Sequence, residues 1–262
     1  MSKISYWRAT CFQDIRSNIC SRRSRITNSF NPNFISTWEE NDFELYLPEN
    51  ILYDTIQPDF ARNNLSIPGA VSPNFRFCDA SIPAGDYFTV RIKPTIPISP
   101  ETNEKIVIKN TYGSRSTVKK AEWQNGWLTA KFDDFGTYQA FADISPPDVN
   151  FPGKGDTVNF SSSARIVLWP TDNFGIKSLR AELDGKWLRF TNDKSRAYIY
   201  NFDERCPYGI HELKITVTDL AGNVTVKSGW FKKYEYTAPK KKPGKKKSTG
   251  GKKKVRSKKK KK

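Results

Sequence analysis

The chain contains a single histidine, His211, and this limits the catalytic chemistry that the sequence can support. Metal-dependent hydrolases usually hold zinc with two or more imidazoles, so a zinc hydrolase site is not expected. A Ser-His-Asp triad on an α/β-hydrolase turn would need a G-x-S-x-G motif, which is absent. Cys206 precedes His211 by five residues and leaves one candidate pair for nucleophilic catalysis. We expect instead that His211, at the start of a strand, has a surface or sheet-edge role.

Neighbouring carboxylates occur twice, at Glu39-Glu40 and at Asp133-Asp134. Glycoside hydrolysis needs two carboxyl groups that face each other across a cleft. Adjacent residues on an extended chain point to opposite faces, so these pairs do not meet that requirement. We therefore predict that they are solvated turn residues.

Oxygen donors also cluster in two turn sequences, at Asp172-Asn173 and at Asp219 with Asn223. Calcium prefers such ligands. The alternative, which we favour, is that Asp219 and Asn223 bond the backbone of their own turn while Gly222 supplies a positive φ. No phosphate-binding glycine loop is present, so neither a metal nor another cofactor is expected.

The C-terminal residues 238–262 carry 15 Lys or Arg and no Asp or Glu. Removing these 15 from the 44 basic residues of the chain leaves 29 against 27 acidic ones, so most of the net charge of +17 belongs to this tail. A segment of this composition is predicted to be disordered and to bind polyanions in a salt-dependent manner. Nucleic acid, lipopolysaccharide, acidic wall polymers and anionic membranes all fit, and a purely solubilising terminus is the alternative. The candidate polyanion-binding residues are Lys240, Lys241, Lys242, Lys245, Lys246, Lys247, Lys252, Lys253, Lys254, Arg256, Lys258, Lys259, Lys260, Lys261 and Lys262.

Five tryptophans could form a sugar-stacking platform or fill the core. They are Trp123, Trp127, Trp169, Trp187 and Trp230. Small β-sandwiches fill thin cores with aromatic rings, so we expect at least half of the five to be buried.

The elements that position these residues are predicted to be strands. Apolar and polar residues alternate with period two over residues 43–47, 86–93, 177–183 and 213–218. Asn125-Gly126 and Asp184-Gly185 are hairpin signals, because glycine and Asn or Asp tolerate the positive φ of tight turns. Residues 110–113 (Asn-Thr-Tyr-Gly) are predicted to form a further turn.

We therefore predict an all-β protein with two tandem β-sandwich domains. The predicted divisions are an irregular segment at 1–35, a β-sandwich at 36–145, an immunoglobulin-like β-sandwich at 146–236 and the disordered Lys-rich tail at 237–262. Pro146-Pro147 marks the linker.

The chain has four cysteines and no C-x-x-C motif, so we expect isolated thiols. A Cys11–Cys20 disulfide is the alternative in an exported protein. Cys78 and Cys206 are expected to pack as small apolar groups. No segment has the length and apolarity of a membrane span, and no signal peptide is predicted from the first 30 residues, because they lack an apolar h-region.

Several stretches resemble the region C-terminal to the peptidase domain in Bacteroidetes-type M23-family (LytM/lysostaphin-type) metallopeptidases. In the first half these are residues 46–56 (YLPENILYDTI), 77–84 (FCDASIPA) and 87–94 (YFTVRIKP). In the second half they are residues 172–185 (DNFGIKSLRAELDG), 202–207 (FDERCP) with Gly209 and 211–213, and 219–224 (DLAGNV). The resemblance covers roughly residues 38–232 and runs in order.

The zinc motifs of that family, H-x-x-x-D and H-x-H, are absent, so the resemblance transfers no catalytic residue. It implies a non-catalytic accessory or binding module of a cell-envelope peptidoglycan peptidase system; a fragment of such a peptidase, a mis-called start or a split gene are the explanations for the missing peptidase domain. Expected partners are peptidoglycan or other anionic envelope polymers through the tail, and a peptidase domain or envelope protein. The expected location is periplasmic or extracellular. The alternative function is a polyanion- or nucleic-acid-binding protein that acts through the tail.

Overall fold

The computed structural model describes residues 29–64, 67–152, 156–192 and 196–236, and these residues form strands, turns and loops without a helix. The prediction of an all-β protein with tandem sandwiches, the second immunoglobulin-like, is confirmed. The contacts divide the chain into two compact units. Among the described residues, the first unit comprises residues up to Pro97 with Ile108–Phe141, and the second comprises Ile98–Val107 with residues 142–236. The described part of the chain contains no helix long and apolar enough to cross a membrane.

Two five-stranded sheets make up the first sandwich. Their strands are Ser36–Glu39 (β1), Phe43–Leu47 (β2), Phe60–Asn63 (β3), Asn74–Phe77 (β4), Pro83–Ile92 (β5), Ile106–Tyr112 (β6), Arg115–Lys120 (β7), Glu122–Gln124 (β8), Trp127–Asp134 (β9) and Gly136–Ala142 (β10). The sheet orders are β1-β2-β5-β9-β8 and β3-β4-β10-β6-β7. The Asn125-Gly126 hairpin is confirmed, since both residues have positive φ, 52° and 82°, and Gln124 pairs with Trp127.

Phenylalanine rings form most of the first core. Phe43 on β2 stacks on Phe75 of β4 with centroids 5.1 Å apart, and Phe88 on β5 stacks on Phe135 at 4.9 Å. All four are at most 1% exposed. Each such ring contributes about 1.5–3 kcal/mol by burial, so these rings supply a substantial part of the stabilisation of the first sandwich.

The turn predicted at residues 110–113 is wrong in its first part. β6 continues to Tyr112, and the chain turns at Gly113, whose φ is 57°. Asn110 is fully buried, and its Nδ2 donates to the backbone oxygen of Asp134 at 2.7 Å. Asparagine is common in turns, which is why the sequence indicated one here. In the structure its side chain instead donates to the carbonyl group at the end of β9.

Only Ser29 onward is described in the predicted irregular segment 1–35; residues 1–28, with Cys11 and Cys20, lie outside the described residues. Phe30 forms a β-bridge with Ile56 and is 4% exposed. Its ring stacks on Phe77 at 6.0 Å, so this part of the segment contributes to the first core. The predicted tail, residues 237–262, also lies outside the described residues.

The second sandwich begins after β10. Its strands are Asp148–Val149 (β11), Thr157–Asn159 (β12), Arg165–Leu168 (β13), Pro170–Thr171 (β14), Ile176–Leu183 (β15), Lys186–Leu188 (β16), Thr191–Asn192 (β17), Tyr198–Asn201 (β18), Gly209–Asp219 (β19) and Val224–Lys233 (β20). One sheet has the order β12-β20-β19-β15-β16, a second has β13-β18-β17, and β11 pairs with β14. β12 runs parallel to β20, with Thr157 opposite Trp230.

Aliphatic residues from facing strands fill the second core. Ile215 and Val217 on β19 are fully buried, and so are Ile166 on β13 and Phe231 on β20. The Asp184-Gly185 hairpin is confirmed by positive φ at both residues, 48° and 77°. Because side chains alternate along each strand, the same sheet also presents an outer face.

Candidate binding surface of the second sandwich

The outer face of the β12-β20-β19-β15-β16 sheet carries large apolar side chains that water reaches. On β20, Val224, Val226 and Trp230 are each at least half exposed, while Phe231 next to them points into the core. Ile210 on β19 is 56% exposed. Several exposed large apolar side chains on one sheet face make that face a candidate interaction site.

Strand register places two tryptophans on this face. Trp187 of β16 lies opposite Glu182 of β15, which lies opposite Lys214 of β19. Glu212 of β19 lies opposite Trp230 of β20. Directly paired residues project from the same side of a sheet, so both indoles and the polar side chains between them share one surface.

Charged groups occupy the strip between the indoles. Arg180 Nε lies 2.9 Å from a carboxylate oxygen of Glu182, and Lys214 Nζ lies 3.9 Å from the other. Three strand spacings separate Trp187 from Trp230, which is about 14 Å across the sheet. The Trp187–Trp230 face therefore combines two flat aromatic surfaces with hydrogen-bonding groups of both charges.

The expectation that at least half of the five candidate tryptophans are buried is wrong. Trp187, Trp169 and Trp230 are 62%, 55% and 50% exposed, Trp123 is exposed at the edge of its sheet, and Trp127 is half-buried under the Arg91 guanidinium, 5.1 Å from its ring centroid. Phenylalanine and aliphatic residues fill both cores, so the larger indoles take outward positions. Of the five, Trp187 and Trp230 share one sheet face.

The first sandwich has a shallow depression of about 360 Å³ on the outer face of β1, β2 and β5. Its lining includes Glu44, Tyr46 and Arg91. Arg91 forms an ion pair with Glu44, so its charge is already neutralised. The Arg91 guanidinium is therefore less available to an anionic ligand in this depression than the presence of an arginine indicates.

His211 is buried, which corrects the expected surface or edge role. It is 6% exposed, its Nδ1 lies 2.7 Å from Oδ2 of Asp184, and its Nε2 lies 2.9 Å from the carbonyl oxygen of Pro207. Both ring nitrogens therefore already have partners, and neither is directed at a nucleophile. The apolar packing predicted for the two domain cysteines is confirmed, since Cys78 and Cys206 are buried. Burial raises the pKa of Cys206 to about 11, so its thiol stays protonated at neutral pH.

The neighbouring carboxylates are placed at strand ends. Glu39, Glu40 and Asp133 are exposed, as predicted, but Glu39 ends β1 and Asp133 belongs to β9 rather than to a turn. Asp134 is half-exposed and its backbone oxygen accepts a hydrogen bond from the Tyr138 hydroxyl. No opposed carboxyl pair of the glycosidase kind arises from them.

The turn role predicted for Asp219 is confirmed. Its Oδ1 accepts from the backbone nitrogens of Gly222 and Asn223 at 2.6 and 2.7 Å, and Gly222 has a φ of 96°. Asp172 does the same for its turn, with Oδ2 accepting from the nitrogens of residues 174 and 175. The same role predicted for Asn223 is wrong in its backbone partner, because its Nδ2 donates to the backbone oxygen of Asp143 at 2.9 Å and to Oδ2 of Asp219 at 2.8 Å.

Sequence analysis missed Asp143, which follows β10 and is 1% exposed. Carboxylate oxygens of Asp143, Asp172 and Asp219 all lie within 4.8 Å of one another. Burial raises the pKa of Asp143, and the charges of the other two carboxylates raise it further, while hydrogen bonds from Asn173 and Ser145 oppose them. The three residues are separated by long and unequal stretches of sequence, so spacing alone carries no signal of their proximity.

One protein-family model matches the part of the chain that forms the first sandwich. A family model described as a Zu5-like domain matches residues 27–143. No curated protein matches the chain.

Among solved structures, the fibronectin(III)-like modules of CbhA from Clostridium thermocellum are similar at 15% identity and a TM-score of 0.28, covering 57% of this chain and 85% of that one. The glycoside hydrolase domain of Endo-D from Streptococcus pneumoniae R6 matches at 11% identity and a TM-score of 0.23, covering 67% and 36%. A polysaccharide lyase matches at 9% identity and a TM-score of 0.23, covering 77% and 31%.

Proposed function

We propose that the chain is a non-catalytic accessory module of a cell-envelope peptidoglycan peptidase system and that it binds wall glycan through the Trp187–Trp230 face. The observation that carries the glycan part is the pairing of two exposed indoles on one sheet face. The assignment to a peptidase system rests on the ordered resemblance over residues 38–232, and the non-catalytic role rests on the absence of the zinc motifs from the sequence.

The chemistry of the face suits a polysaccharide better than a nonpolar partner. Indole rings offer flat surfaces for the C–H groups of sugar rings. Glu182, Lys214 and Glu212 lie between or beside them and can accept from or donate to hydroxyl and N-acetyl groups. A nonpolar protein partner would have to desolvate these charges without replacing their hydrogen bonds.

The proposal is tested by retention on insoluble peptidoglycan at high salt, where the contribution of the Lys-rich tail is screened. We expect Trp187→Ala combined with Trp230→Ala to weaken retention at least tenfold, which corresponds to about 1.4 kcal/mol. Trp169→Ala is the matched control, because Trp169 is equally exposed but lies between β13 and β14. Equal retention of the double variant and the control would refute the glycan assignment.

The polyanion-binding alternative rests on the charge of the tail alone, 15 basic residues among positions 238–262. Binding of this kind depends on counterion release and falls steeply between low and moderate salt. Deleting residues 238–262 distinguishes the two functions. Retention that survives deletion and high salt supports the sandwich face, whereas retention that disappears under either condition supports the tail.

A further inference from the structure

The three-carboxylate cluster of the second sandwich contains a buried oxygen without a hydrogen-bond partner. Asp143 is 1% exposed, and its Oδ2 has no partner among the described residues. Its Oδ1 accepts from Asn173 Nδ2 at 3.1 Å and from the Ser145 nitrogen at 3.2 Å. A buried carboxylate oxygen without a donor from the protein is costly, so the site calls for a partner that the protein itself does not supply.

The neighbouring carboxylates increase the cost of a charge on Asp143. Asp219 is fully buried, Asp172 is half-buried, and oxygens of both lie within 4.8 Å of an Asp143 oxygen. None of the ion pairs found in the described part of the chain involves any of the three carboxylates. Lys105 lies in the same unit, but its Nζ donates to the backbone oxygen of Gly222.

We propose that Asp143, Asp172 and Asp219 bind one calcium ion. The three oxygens lie within 4.8 Å of one another, so a small inward shift of the side chains brings all of them to about 2.4 Å from a single ion, the usual distance for calcium. The donor set contains no nitrogen or sulfur, which favours a hard cation over zinc or copper. Calcium also accepts irregular sets of six to eight oxygens, whereas magnesium demands a near-octahedral arrangement.

One of the three carboxylates lies at a surface cleft, and two of them are oriented by backbone hydrogen bonds. Asp172 and Asn173 line a cleft of about 400 Å³ on the surface of the second sandwich. Backbone hydrogen bonds hold one oxygen of Asp172 and one of Asp219, so these side chains are oriented before an ion arrives. Preorganised ligands of this kind lower the cost of binding.

Asp143→Asn is the most informative variant. The amide keeps an oxygen for the bonds from Ser145 and Asn173, so we expect the variant to fold. It removes a buried charge, and its melting temperature in EDTA should therefore be at or above that of the wild type. Calcium should raise the melting temperature of the wild type by about 5 °C or more at a free concentration ten times the dissociation constant. The variant should not show this increase.

The experiment combines differential scanning calorimetry with isothermal titration of the metal-depleted full chain. One calcium per chain, with affinity reduced at least tenfold in Asp143→Asn, supports the proposal. Asp156→Asn is the matched control, an exposed aspartate of the same unit that should bind as the wild type does. The proposal is overturned if the wild type takes up no calcium at millimolar concentration, if Asp143→Asn binds undiminished, or if magnesium stabilises equally.

Discussion

His211 Nδ1 lies 2.7 Å from Oδ2 of Asp184, so the only imidazole of the chain is hydrogen-bonded to the first residue of the turn between β15 and β16. The other oxygen of Asp184 accepts from the backbone nitrogen of Glu212 at 2.8 Å. One carboxylate thus connects the hairpin turn to two successive residues of β19.

This connection predicts a pH-dependent stability. Partial burial opposes ionisation of Asp184, but the hydrogen bonds from His211 and Glu212 outweigh it and lower the pKa of the carboxyl. A lowered carboxyl pKa stabilises the fold above the unfolded value of about 3.9 and loses that contribution as the pH falls through the folded value. We expect Asp184→Asn to melt below the wild type at pH 7 and to approach it below about pH 4.

Asparagine also tolerates the positive φ of position 184, so this variant tests the charge without disturbing the hairpin. Glu204→Gln, at an exposed position, is the control and should track the wild type throughout. A constant gap between wild type and Asp184→Asn from pH 3 to pH 7 would contradict the prediction.

The buried thiols are predicted to be unreactive. Burial raises the pKa of Cys78 and raises that of Cys206 to about 11. Because the thiolate is the reactive form, iodoacetamide at pH 8 should modify both residues at least tenfold more slowly in the folded chain than in denaturant. Peptide mass spectrometry measures each site separately, and fast labelling of folded Cys206 would show that its thiol is accessible.

Gly229 of β20 is predicted to be required by packing. A Cβ at this position would lie 2.8–3.1 Å from ring atoms of Phe151, which packs against the second core. We expect Gly229→Ala to lower the free energy of unfolding by about 1–3 kcal/mol through overpacking. Ser228→Ala, on the exposed side of the same strand, should change it by less than about 0.5 kcal/mol in urea denaturation.

Two glycines with positive φ should differ in their tolerance of a side chain. At Gly126, φ is 82° and a Cβ would meet nothing within 4 Å, so alanine costs only the backbone strain, about 1–2 kcal/mol. At Gly136, φ is 152° and a Cβ would lie 2.6 Å from Asn110 Oδ1 and 2.7 Å from the Thr111 oxygen. Gly136→Ala should therefore be the more destabilising of the two; equal midpoints in urea would contradict this.

Local chemistry explains why the strands could be predicted from the sequence. The alternation of Phe43, Leu45 and Leu47 gave β2 with the bounds seen in the structure, because three buried residues on one face fix the register. Asn125-Gly126 and Asp184-Gly185 marked hairpins because few other residue pairs adopt two successive positive φ values.

Three of the failures have a different cause, since they concern residues whose role depends on distant neighbours. Asn110 is buried because it satisfies a carbonyl at residue 134, and His211 because Asp184 and Pro207 receive its ring nitrogens. The proximity of Asp143 to Asp219 likewise arises only when the second sandwich closes. Composition and spacing do not reveal such long-range contacts.

The parallel pairing of β12 with β20 has a consequence for the order in which the chain folds. β20 lies between β19 and β12, so the sheet is incomplete until this late strand arrives. Strands that are distant in sequence lose loop-closure entropy before their contacts form, and this slows folding. During synthesis, a ribosome-bound chain without β20 presents the long strand β19 as an uncovered edge, and this nascent intermediate is where we expect chaperone binding or aggregation to occur.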